Sequence, residues 1–387
     1  MAWLNVSGAS VTMANWSELP IDLLEYLTSF LSLPDYHRFG AVCQNWWSVA
    51  KQKHSRPANQ LPWLVLGDDY ATQKRTFFNL LENKHYCIDI PELRGQYLCG
   101  SFYGWLFTID IQLNARLLNP FTGKQYDLPP LPAYSEYFKT HAYLREPTEH
   151  STATFAEMQM KLVWKAILDY DPSDRSDFKV VIVYGENRVL AFWRPGDLKW
   201  KFIDGYWYID DVLFSNGNLY TITSMGDSRL NVVDDWSAPK LTQVKVTIPT
   251  IFDVMCFSYL VDIRGELLLV QRYREYNVVE QHHTTIDVQV RKIDVDGGVS
   301  VVCKHIEGYA IFLGNSLPVV VDPSKFPSCR KNTIYFTDIS FTLNAPKYGR
   351  DDFWIYDMNT CRFSRYYPRN IFIPPVAAPI WFNPNPW

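Results

Sequence analysis

Between Ser17 and His54 apolar residues recur at helical spacing, with Leu23, Leu27 and Leu31 in one stretch and Phe39, Val42, Cys43, Trp46 and Ala50 in the next. Pro20 suits the first turn of the first helix, and Pro34 opens a new one after a short break. Gly40 falls inside the second stretch and is expected to weaken it, by up to about 1 kcal/mol relative to alanine. Segments below about 40 residues rarely bury enough surface to fold alone. This one has a single cysteine and no metal pattern, so the missing part of its core is expected from another protein or from the rest of the chain. An ordinary helical hairpin packed on its own C-terminal domain is the alternative.

Residues 55–62 are polar and proline-bounded and read as a linker. From Trp63 onward the period changes to short β-branched and aromatic runs, among them 179–184, 188–193, 217–223, 267–271, 288–295 and 333–337. Five units share a strand, a turn and a second strand: 117–129, 192–202, 232–246, 292–302 and 354–366, each with a partner strand upstream. The repetition predicts a mainly β fold, a propeller of about six blades over residues 63–373, with irregular insertions. Strand-like segments at 63–66 and 86–90 have no complete unit of their own, so strands from the two ends of this region are expected to share a closing blade. A β-sandwich followed by a second small β domain is the alternative. Residues 374–387 carry five prolines and are expected to form a Pro/Trp-rich tail, not a regular strand. Residues 1–16 are expected to be disordered.

Composition narrows the function classes. The chain has 387 residues, 47% hydrophobic and 20% charged, which describes a folded protein of two unequal domains. Net charge is −4 and the one basic cluster, Lys51 to Arg56, reads as a solvated helix end, so no nucleic-acid partner is expected. Seven scattered cysteines without a C-x-x-C pair argue against a disulfide framework or a zinc site and suit a reducing compartment. With no secretory signal and no apolar run of membrane-spanning length, the reading is cytoplasmic or nuclear, with no membrane association.

No phosphate-binding, dinucleotide, serine-elbow or zinc-protease motif is present, and neither catalytic residues, a metal nor a cofactor is expected. His282-His283 could ligate a metal but reads as an exposed hairpin loop. The aspartate pairs 68-69, 210-211, 234-235 and 351-352 read as turns and solvated edges, because neighbours on a strand point to opposite faces. Residues 130–160 are polar and long for a connection, and read as a mobile insertion.

The helical stretch resembles an F-box, on Leu19-Pro20, Leu23-Leu24, Leu27, Asp35, Arg38 and Val42-Cys43-Gln44-Asn45-Trp46. Family members usually carry arginine after the tryptophan, where this chain has Trp47. Downstream, Gly104-Trp105-Leu106, Leu118-Asn119-Pro120-Phe121-Thr122-Gly123 with Leu128-Pro129, and Phe353-Trp354-Ile355-Tyr356-Asp357 resemble the plant F-box proteins with a kelch-like β-propeller. The resemblance implies a three-helix F-box at 17–54 that docks onto a Skp-type adaptor, and through it a cullin-based ubiquitin ligase, by Leu19, Pro20, Leu23, Leu27, Leu31, Val42, Cys43 and Trp46. It implies a substrate receptor whose propeller holds an unidentified target protein. A ligase-independent interaction scaffold is the second reading and a propeller glycan-active enzyme the third. Loops at 130–143, 206–208 and 272–276 carry the aromatic and basic residues expected to contact the target.

Overall fold

The structure is a computed structural model, and it describes residues 15–31, 33–52, 61–68, 72–131, 162–185, 187–206, 208–223, 228–249, 254–277, 282–326, 329–337, 353–366 and 379–384. The chain divides into two units, residues 1–60 with the last two residues, and residues 61–385. The expectation of a disordered 1–16 falls largely outside the described residues, as does most of the 130–160 insertion.

The first unit holds α1 (Ile21–Thr28), α2 (Leu33–Gly40) and α3 (Gln44–Ala50). The second apolar stretch is therefore two helices and not one. Cys43 breaks it with an extended backbone, φ −162° and ψ 172°, and serves as the N-cap position of α3. Gly40 ends α2 instead of lying inside a helix, so the expected interior penalty does not arise.

The second unit is a six-bladed β-propeller, not a sandwich. Blade two comprises β4 (Tyr97–Phe102), β5 (Trp105–Ile109), β6 (Ala115–Leu118) and β7 (Gln125–Asp127). Blade three comprises β8 (Val163–Leu168), β9 (Val180–Tyr184), β10 (Val189–Trp193) and β11 (Lys201–Phe202). Blade four comprises β12 (Ile209–Ser215), β13 (Asn218–Thr223), β14 (Arg229–Val233) and β15 (Thr242–Gln243). Blade five comprises β16 (Met255–Ile263), β17 (Glu266–Asn277), β18 (His282–Asp294) and β19 (Val299–Val302). Middle strands such as β5, β9 and β10 are buried at every residue, because each blade is covered on both faces by its neighbours.

Blade one closes the ring. Its order is β25 (Ile380–Phe382), β1 (Trp63–Asp68), β2 (Arg75–Asn79) and β3 (Lys84–Ile88), with Trp63, Leu64 and Val65 opposite Phe382, Trp381 and Ile380. The shared closing blade expected from the sequence is present. Its C-terminal strand, however, comes from the segment expected to be an irregular tail. Proline cannot donate to a strand ladder and is tolerated at its ends. Pro379 and Pro384 flank the three paired residues, and all three are fully buried. At the other boundary Leu61 and Pro62 are buried with the propeller instead of belonging to the linker.

Blade six departs from the pattern. Its order is β21 (Val319–Val321), β20 (Ala310–Leu313), β22 (Thr333–Thr337), β23 (Phe353–Asp357) and β24 (Arg362–Arg365), and β20 lies parallel to β22. The β20–β21 connection carries Leu317, which packs against the cores between blades two and three, three and four, and four and five. A side chain reaching three interblade cores lies near the ring axis. Its N–H donates to Ser101 O on inner strand β4 at 3.1 Å.

A buried ion pair ties the inner strands together. Lys165 of β8 donates to Asp211 Oδ1 of β12, and Leu260 N of β16 donates to Asp211 Oδ2 at 2.8 Å. Burial raises the Asp211 carboxyl above its usual range despite the attraction of Lys165. Asp210 beside it pairs with Arg188 at 3.0 Å. The reading of this aspartate pair as a solvated turn is thus overturned, because a β-bulge between Ile209 and Asp211 brings both carboxylates to charged partners. Replacing Lys165 by methionine is expected to destabilise the propeller by about 3–5 kcal/mol, since it leaves a buried charge uncompensated. Lys165→Met combined with Asp211→Asn should recover part of that loss, because a neutral amide needs no counter-charge and still accepts from Leu260 N, while the bond that Val212 N donates to the other carboxylate oxygen is given up. Urea midpoints of the three proteins decide it, and equal losses in single and double variants would refute the role of the pair.

Candidate functional site

The helical module shows how an eight-residue helix can serve two cores. Leu24 and Thr28 of α1 point inward and are buried. They join Tyr36, Phe39, Val49 and Ala50, with Leu19, Leu31 and Trp46 packed against the same cluster. Polar contacts fix the arrangement. Tyr36 OH donates to Ala50 O at 2.5 Å, Trp46 Nε1 to Trp16 O at 2.9 Å, and Asn45 Nδ2 to Ser17 O at 3.1 Å. The rings of Phe39 and Trp46 lie 4.5 Å apart.

The opposite face of α1 is apolar and exposed among the described residues. Leu23, Tyr26 and Leu27 of α1 and Phe30 in the turn that follows it, spaced i, i+3, i+4 and i+7, are 47%, 64%, 40% and 69% exposed. Tyr26 and Phe30 support each other edge-to-face at 4.9 Å. Ile21 extends this surface and Val42, in the turn before α3, is exposed as well. A contiguous apolar stripe on an otherwise folded module marks an interaction surface.

The eight residues singled out from the sequence therefore divide. Pro20, Leu23, Leu27 and Val42 face outward, whereas Leu19, Leu31 and Trp46 pack on the module's own core and Cys43 is half-buried. Ile21, Tyr26, Phe30, Trp16 and Trp47 are exposed and were not singled out. The α1 spacing, read as two opposed faces instead of one, could have found Tyr26 and Phe30. Trp47 lies outside the core, with Lys51 Nζ 4.7 Å above its ring, so its replacement of the family arginine does not disturb the packing.

On the propeller, the inner strands of successive blades run in the same direction, so the residues preceding them share one rim. Tyr208 precedes β12 there, 37% exposed at φ 57°, and its N–H donates to Asn187 O at 2.7 Å. Arg188 stacks over Trp164 at 4.1 Å, and Arg229 lies 5.7 Å from the Tyr206 ring. The expected contact loop at 272–276 is instead part of strand β17. Arg272, Tyr273 and Arg274 are buried there, Arg272 donating to Thr285 Oγ1 at 2.6 Å and lying over Phe336 at 4.9 Å. Flat guanidinium groups pack against aromatic faces, which is how two arginines enter this core. His282 and His283 are the first residues of β18 and not loop residues. Among the described residues no group of three or more His, Cys, Asp or Glu could hold a metal, and the seven cysteines are unpaired.

Comparison with known proteins agrees with both units. Residues 16–55 match the F-box domain, and residues 77–359 match the KIB1-4 beta-propeller family. F-box protein At1g10110 of Arabidopsis thaliana is 35% identical over 56% of this chain and 55% of its own length. F-box protein SKIP23 of the same plant is 29% identical over 69% of this chain and 66% of its own. F-box/kelch-repeat protein At1g57790, also from Arabidopsis thaliana, is 25% identical over 67% of this chain and 68% of its own. The chain thus spans between half and two thirds of the length of the first two. The kelch likeness is loose, since the propeller matches the KIB1-4 type. The chain is an F-box protein belonging to the KIB1-4 beta-propeller family.

Proposed function

We propose that this protein is the substrate-recognition subunit of a cullin-based ubiquitin ligase, its F-box binding a Skp-type adaptor and its propeller holding a target protein. The observation that carries this reading is the stripe of Leu23, Tyr26 and Leu27 with Phe30 just past the helix end, exposed among the described residues, on a helix whose other face already packs into the module's own core. Such a face gains by burial against a partner, at roughly 25 cal/mol per Å² of apolar area removed from water. The receptor makes and breaks no bonds itself. It raises the effective concentration of activated ubiquitin at a lysine of the held target. No helix among the described residues is long and apolar enough to cross a membrane, and a cytoplasmic or nuclear setting fits this role.

Weakening of the F-box at Gly40 and Trp47 would favour the scaffold alternative, and neither residue weakens the module's own packing. Gly40 closes a helix, and Trp47 stands outside the core. Reconstitution tests the proposal. The full chain mixed with a Skp-type adaptor and a cullin is expected to elute as one complex, and the chain eluting alone would restore the scaffold reading. For the target, Tyr208→Ala is expected to weaken capture by about 2 kcal/mol or more while adaptor binding is unchanged. Equal capture by the variant would remove Tyr208 from the contact surface.

A further inference from the structure

Each blade ends on an outer strand whose far edge has no ladder partner in the ring, and such edges invite pairing with another chain. Most outer strands here carry a charged side chain that blunts the edge: Lys84 on β3, Asp127 on β7, Lys201 on β11 and Arg362 on β24. Strand β15 has only two residues. Strand β19 of blade five is different. Its residues, Val299-Ser300-Val301-Val302, include no charge and no proline, and the valines are 48%, 60% and 48% exposed among the described residues.

The register fixes which backbone groups this edge offers. Val301 lies opposite Lys292 on β18, and Cys303 donates its N–H to Val290 O at 2.8 Å. Backbone groups alternate in direction along an antiparallel strand, so Val299, Val301 and Cys303 turn theirs toward β18 while Ser300 and Val302 turn theirs outward. Among the described residues no other backbone group bonds to those two. Thr247 meets the start of the strand, its N–H donating to Gly298 O at 3.3 Å and its carbonyl accepting from Ser300 Oγ at 2.7 Å.

Charge along the same stretch selects the occupant. Exposed Asp294 and Asp296 precede the strand and exposed Lys304 and His305 follow it, so the edge runs from acidic to basic. Lys292 on the neighbouring strand is already held by Glu266 and attracted by Glu307. Laid antiparallel on a second copy with Val301 on the two-fold axis, Ser300 of each copy pairs with Val302 of the other. The acidic end of each strand then meets the basic end of its partner. A parallel arrangement would set like charges side by side.

We propose that two copies of this chain associate through antiparallel β19 edges into a closed dimer, with one sheet continuing from blade five of one copy into blade five of the other. So short an edge makes a small interface, so the dimer is expected to be reversible and concentration-dependent. Under the receptor reading the dimer carries two adaptor sites and two target sites, which favours a target with repeated binding segments.

Sedimentation equilibrium of the full chain tests the proposal. The wild type is expected to follow a monomer–dimer equilibrium. Val301→Lys sets two like charges face to face on the axis and should stay monomeric at the same concentrations, with an unchanged melting midpoint because the side chain is exposed. Asp296→Lys or Lys304→Asp alone should weaken association by roughly tenfold, since each turns two attractions into repulsions, and the two together should restore it. A monomeric wild type, a dimer that survives Val301→Lys, or a charge exchange that fails to restore association would each overturn the proposal. A monomeric wild type whose Val301→Lys variant loses target capture would overturn it as well, and give the edge to the target. Sedimentation needs neither adaptor nor target, so failure there leaves the receptor reading untouched.

Discussion

Replacing Leu23 and Leu27 together by alanine is expected to abolish capture of a Skp-type adaptor while the F-box module stays folded. Both side chains point away from the module's own cluster, so their truncation opens no cavity within it. In a joint core with the adaptor each would be a large apolar residue cut to a methyl group. That costs about 2–5 kcal/mol apiece when burial is complete, hence roughly 4–10 kcal/mol together. At about 1.4 kcal/mol per tenfold, the smaller figure already weakens binding by roughly a thousandfold. Leu24→Ala provides the contrast. It removes a fully buried side chain one position away, so it should lose adaptor binding and helical circular dichroism together. A pull-down in which the double variant captures as much adaptor as the wild type would remove α1 from the interface.

The helical module was legible because its two faces share one spacing, but that same fact blurred the assignment. Leu23, Leu27 and Leu31 lie on nearly the same line of a helical projection. In the structure Leu31 follows the end of α1 and turns into the module, while Leu23 and Leu27 remain outside. The sequence pattern reports apolar residues that need covering and does not say which core covers them. Cys43 shows a second limit, since an apolar residue in helical register can still be the extended link between two helices.

In the propeller, middle strands such as β9 and β10 were legible as unbroken β-branched and aromatic runs. Inner strands were harder to see. Strand β4 contains Gly100, where a side chain would come within 2.6 Å of Ala166 O on β8, so close approach of two inner strands demands a residue with no strand preference. Strand β12 contains Asp210 and Asp211, which resemble a turn in sequence and are paired with Arg188 and Lys165 in the ring. Long-range pairing rescues such residues, and no local pattern reports it. The β17 arginines misled for the same reason, since their exposure depends on aromatic faces that stand on other strands.

Ending the chain at Ala378 is expected to destroy cooperative unfolding of the propeller. The deletion removes Ile380, Trp381 and Phe382, each fully buried, and with them the innermost strand of blade one. Trp381 joins that strand to blade six, donating from Nε1 to Leu313 O at 3.2 Å and meeting the Phe312 ring edge-on at 4.9 Å and the Tyr366 ring at 5.5 Å. Truncating one buried tryptophan costs about 3–5 kcal/mol. Removing two further buried side chains and a ladder partner takes the loss to the size of a whole domain's stability, about 5–15 kcal/mol. The loss also has a topological part, because β1 then becomes an open edge along Trp63, Leu64 and Val65 and blade one no longer meets blade six through a shared tryptophan. Trp381→Ala in the full-length chain isolates the packing contribution, and should lower the midpoint while leaving a single transition. Thermal unfolding followed by far-ultraviolet circular dichroism distinguishes the two. A truncated chain that melts in one sharp transition at the wild-type midpoint would show that the ring does not depend on its C-terminal strand.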